Sequence, residues 1–148
     1  MTRPWQLTQV VRLVRAVLDL AALSTAHYLA FVVRFEGAVP AAELDAFAYS
    51  LPVVLLIQYL CLMACRVPES SWRYVSLLEV RRIVLALTMA TAVLGVFIWS
   101  ADLLRPFLPT INSAIPPRGV IVLDLLLGLV GLIGLRVSVR ARYERRAR

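Results

Sequence analysis

Three ionisable side chains sit inside otherwise apolar runs: Asp19, His27 and Asp124. A charge held in hydrocarbon costs ~2.5 kcal/mol or more, so such a residue is either functional or paired. Asp19 follows Arg15 by one helical turn. The two are expected to pair, with Asp19 snorkelling toward the nearer membrane face. Asp124 follows Arg118 by about 9 Å of helix, and Arg34 ends the first apolar run on the same side. The expectation is a structural ion pair of Asp124 with Arg34 or Arg118; a transport or proton-relay role is the alternative. His27 is expected to be a small polar packing contact.

The remaining candidates for chemistry are weaker. Cys61 and Cys65 share one helical face of an apolar run, but the single histidine is far away in sequence, so no metal-ligand set is expected. Gly128, Gly131 and Gly134 have a spacing related to nucleotide-binding turns. That chemistry needs the glycines between a strand and a helix, with free backbone N–H groups facing a pyrophosphate. Here they lie inside an apolar run, where close helix packing is the expected use. There is no lysine, hence no Tyr-x-x-x-Lys pair. No Ser–His–Asp arrangement is expected with the one histidine inside a span. No catalytic residue, cofactor-binding residue or metal ligand is expected in this chain.

The elements that position these residues follow from hydropathy. The chain has 148 residues, 61% of them hydrophobic, against roughly 45–50% in soluble domains. Its mean hydropathy is +0.81. Four apolar runs, at about 16–33, 47–65, 83–101 and 119–135, are each long enough to cross a ~30 Å hydrocarbon core as a helix. The expected fold is an all-α integral membrane domain: one unit of four transmembrane helices in two hairpins. The first run, positively flanked, is too long for a signal core of ~7–15 residues and reads as an uncleaved span. Ala22, Ala26 and Ala30 give it a small-residue face. Gly37 and Pro40 mark a turn. Pro52 is placed in the first turns of the second span, where a missing N–H is tolerated.

The most polar interior stretch runs from Arg66 to Arg82, between the second and third spans. Trp72 and Tyr74 suit a membrane–water boundary, with Arg73 beside them. Ser76 and Glu79 have the spacing of a capping box at the start of the third span. The net charge of +7 comes with 16 arginines. Thirteen of them fall in the N-terminal segment, this connector and the tail after residue 135; three, Arg34, Arg105 and Arg118, fall in the other two loops. The positive-inside rule therefore expects both termini and the connector in the cytoplasm. The arginines show no stripe interleaved with stacking aromatics, so no nucleic-acid partner is expected. Membrane lipids are, since a basic face attracts anionic headgroups.

Several segments together resemble a known family. They are Arg34-Phe-Glu-Gly with Pro40, Trp72-Arg-Tyr-Val-Ser-Leu-Leu-Glu79, Ile115-Pro-Pro-Arg-Gly-Val with Asp124, and Gly134-Leu-Arg-Val-Ser-Val-Arg140. In order and spacing they resemble the N-terminal membrane region of CapD-like membrane-bound nucleotide-sugar 4,6-dehydratases, also labelled epimerases. Residues 10–142 carry the resemblance, and Trp-Arg-Tyr-x-Ser is its most specific piece. It implies polysaccharide or glycan biosynthesis at the bacterial inner membrane. It also implies a cytoplasmic Rossmann-type domain, NAD(P)-binding and catalytic, that these residues do not include. The chain, as a fragment or truncated product, is then an anchoring module without enzyme activity or cofactor. Its implied partners are such a domain and membrane-bound glycan enzymes. The membrane region of a polyprenyl-phosphate sugar phosphotransferase and a small four-span transporter are the alternatives.

Overall fold

The computed structural model describes residues 4–69, 77–104 and 115–146, and the side chains of most of them. Four long helices account for nearly all of this: α1 (Pro4–Arg34), α2 (Ala41–Ala64), α3 (Leu77–Leu104) and α4 (Arg118–Arg146). A 3-10 turn, Val67–Glu69, follows α2. No strand occurs among the described residues. Each helix contains a stretch long and apolar enough to cross a membrane: Gln9–Arg34, Glu43–Ala64, Leu77–Ala101 and Arg118–Arg142. The protein is a multi-pass, all-α membrane protein, as its hydropathy requires.

The helices form a closed ring in which α1 packs on α4 and α2, and α3 packs on α2 and α4. The starts of α1 and α3 and the ends of α2 and α4 therefore share one end of the bundle, here the base. About a third of each spanning stretch is buried inside the bundle. The outward side chains are large and apolar, among them Leu56, Val96, Trp99 and Val130. In water that surface would be a liability; in a bilayer it faces lipid at no cost.

Helix ends follow local chemistry. After α1, Glu36 and Gly37 take positive φ of 52° and 87°. Gly37 reaches this conformation without Cβ strain, and its N–H closes on the Val32 carbonyl at 2.8 Å. Pro40 then stands in extended conformation at the N-cap of α2, confirming the Gly37–Pro40 turn. Arg66, two residues past the end of α2, takes φ 55°, which is uncommon for a residue other than glycine. The reversal inserts Val67, fully buried, beside Leu23, Leu62, Ile83, Leu87 and Leu132.

Three expectations are corrected. Pro52 is not in the first turns of its helix, because α2 begins at Ala41 and the proline lies mid-helix. The Ala48 carbonyl consequently lacks its i+4 donor, a loss that membrane helices accommodate. The glycine triplet is used only in part. A Cβ on Gly128 would meet Leu87 and Leu23 at 3.5 and 3.6 Å, and one on Gly131 would come 3.8 Å from the Ala22 carbonyl, whereas Gly134 faces open space. Finally, Arg136, counted above with the basic tail after residue 135, is not at the surface but fully buried. Trp72, Arg73, Tyr74 and Ser76, with the whole 105–114 segment, lie outside the described residues.

Candidate functional site

Two buried polar layers cross the bundle. In the first, His27 on α1 is the hub. Its Nδ1 lies 3.3 Å from Asp124 Oδ1 on α4, and its Nε2 lies 3.2 Å from Ser50 Oγ on α2. The Gln58 amide on α2 donates to Asp124 Oδ2. The Ser50 hydroxyl donates to the Phe47 carbonyl at 3.3 Å. All four polar side chains are buried. Phe47 stacks on the His27 ring, and Phe31 meets it edge-on.

The helical register explains the convergence. Ala26, Ala30 and Phe31 share the buried side of α1 with His27. Ser50 and Gln58 are two turns apart on α2 and bracket the buried Val54. On α4, Val120, Asp124 and Gly128 form one buried stripe at spacing four.

Asp124 thus satisfies itself with His27 and Gln58, not with Arg34 or Arg118 as expected. Arg34 is exposed, and its guanidinium chain lies across Gly119, where an added Cβ would meet Nε at 2.9 Å. Arg118 is exposed at the bundle end. Rotation of the helices about their axes, not depth along them, decides the partner of Asp124. His27 likewise is more than a small packing contact, because it joins three helices.

Ser50, His27 and Asp124 stand in the order of nucleophile, base and orienting acid, contrary to the expectation that no such arrangement arises. Acyl transfer also requires donors aimed at a developing oxyanion. Ser50 lies within α2, where backbone N–H groups are committed to helix bonds, and Pro52 has none. A largely apolar cavity of about 100 Å³ lies beside Ser50, lined by Tyr49, Val54, Leu94, Ile98 and Ile115. The contacts of this layer join α1, α2 and α4.

The second layer lies toward the base. Arg136 on α4 is fully buried between two carboxylates: Nη2 is 3.5 Å from Asp19 Oδ2 on α1, and Nε is 3.5 Å from Glu79 Oε1 on α3. Asp19 is fully buried too, so it does not snorkel. Arg15 acts on it as a second, weaker positive charge, after Arg136. Glu79 was expected to reach back to Ser76; its pairing with Arg136 is a contact between distant segments that the sequence did not announce. Isolated, each of these charges would be costly in hydrocarbon, whereas together they largely neutralise one another.

The lesser polar groups are satisfied locally. Ser24 and Thr25 donate to the carbonyls of Leu20 and Ala21, both at 2.8 Å. Cys61 and Cys65 are free and pack against the apolar core. No cluster of metal-ligating side chains occurs among the described residues. No known protein family, curated protein or solved structure matches the chain.

Proposed function

We propose that this bundle is a membrane module that holds and orients a cytoplasmic domain, as its resemblance to the membrane region of nucleotide-sugar dehydratases implies. It supplies position, not chemistry. The observation that carries this reading is the way α4 ends. Arg136 is clamped to α1 and α3, and the helix then runs unbroken to Arg146. Those last residues extend about 15 Å at helical rise. A helix fixed at its base and rigid beyond it transmits the orientation of the bundle to whatever follows. A flexible exit would transmit only proximity.

In this reading both termini face the cytoplasm of a bacterial inner membrane, and the attached domain works on nucleotide sugars for surface glycans. Orientation is checked by introducing single cysteines at Ala38, Ser113 and Ser70, with Cys61 and Cys65 replaced. A membrane-impermeant thiol reagent on intact cells should label the first two positions and not the third. The anchoring role is tested by fusing residues 1–148, or an unrelated four-span anchor, to a soluble dehydratase domain. Restoration of glycan synthesis by the native module alone indicates specific orientation. Restoration by both indicates that anchoring suffices. Full synthesis by the soluble domain alone refutes the role.

A further inference from the structure

The base of the bundle carries exposed arginines from all four helices: Arg12 on α1, Arg66 just after α2, Arg81 and Arg82 on α3, and Arg142 on α4. None of these five makes an ion pair among the described residues. The interior carboxylates nearest to them in sequence, Asp19 and Glu79, are turned inward onto Arg136. Among the described side chains, one buried arginine thus takes up the nearby acids, and the five exposed arginines, a positive rim at the base, are left without an acidic partner.

The depth of that rim selects its ligand. The spanning stretches begin at Gln9 and Leu77 and end at Ala64 and Arg142. Each of the five arginines therefore lies within a few residues of the end of an apolar stretch, and a helix that crosses a bilayer holds such ends near the headgroups. Long side chains at that level extend toward the phosphate layer. A guanidinium matches a phosphate with two parallel hydrogen bonds. We infer that this arginine rim is a binding site for the phosphate headgroups of anionic phospholipids. It draws on residues that the anchoring reading does not use, and the two stand or fall separately.

The test titrates the detergent-solubilised full chain with dioleoyl phosphatidylglycerol or dioleoyl phosphatidylcholine and counts retained lipids by native mass spectrometry. An arginine near an anionic surface contributes about fivefold in affinity. The wild-type chain should retain the anionic lipid at least about tenfold better than the zwitterionic one. The combined variant Arg81→Gln, Arg82→Gln, Arg142→Gln should lose most of that preference with an unchanged melting curve. Arg34→Gln, at the opposite end, should keep it. Should the triple variant melt early, Arg81→Gln and Arg82→Gln are read singly, each with a partial loss expected. Equal retention of both lipids by the wild-type chain overturns the proposal. So does a folded triple variant that keeps the full preference, or rim-dependent binding of inorganic pyrophosphate without any lipid preference.

Discussion

The two buried polar layers solve the same problem by different means. The layer around His27 gathers one carboxylate with side chains that need carry no charge, Gln58 and Ser50, and joins α1, α2 and α4. The layer around Arg136 sets a permanent cation between two carboxylates and joins α1, α3 and α4. Removing a partner should therefore have unequal consequences. Loss of a hydrogen-bonding group leaves unsatisfied donors, at about 1–3 kcal/mol. Loss of the cation leaves two buried carboxylates facing each other, at about 3–5 kcal/mol. The first layer ties α1 to α2 and α4, and the second ties α4 to α1 and α3 at the base.

The largest effect is expected for Arg136→Leu, which should lower stability by about 3–5 kcal/mol in a reversible unfolding titration in mixed micelles. Replacing Asp19 and Glu79 by leucine in the same chain should recover most of that loss, since a buried ion cluster and an apolar substitute are often close in stability. A loss below about 1 kcal/mol for the single change would show that the layer is solvated.

Asp124→Leu should cost about 1–3 kcal/mol, by stranding His27 and Gln58, and Asp124→Asn should retain part of the network. The comparison breaks if Asp124→Leu proves worse than Arg136→Leu. Overpacking gives a third contrast. Gly128→Leu intrudes on Leu23 and Leu87 and should cost about 1–3 kcal/mol. Gly134→Leu enters open space and should stay within about 0.5 kcal/mol.

A smaller effect than the loss of either layer concerns the start of α3, where Glu79 is already held by Arg136. If Ser76 caps this helix, Ser76→Ala should cost about 0.5–2 kcal/mol, and Ser76→Asp should largely preserve stability, since aspartate caps as well and its charge suits a helix N-terminus. Equal losses for the two would identify a partner contact instead of a cap.

Much of the architecture is legible in the amino-acid sequence. Four spans, the turn at Gly37 and Pro40 and the small-residue face of α1 all follow from local composition. Helix ends were less legible. α1 begins at Pro4 and α4 continues to Arg146, both beyond their apolar runs. Hydropathy marks where lipid is, not where hydrogen bonding stops. The partner of Asp124 was misjudged for a related reason. Sequence gave its depth relative to Arg118, but three helices had to be rotated together before His27 and Gln58 could be seen as nearer.

Length, hydropathy and arginine placement determined on their own that this chain is a four-span membrane protein with a strongly basic base. Those properties are sums over residues and need no knowledge of who meets whom. Only tertiary structure decided that Arg136 is interior and that Asp19 and Glu79 are its partners. It also decided that His27 is a hub. Such contacts join residues some 100 positions apart. They depend on the rotation of each helix about its own axis, which packing against the other three sets.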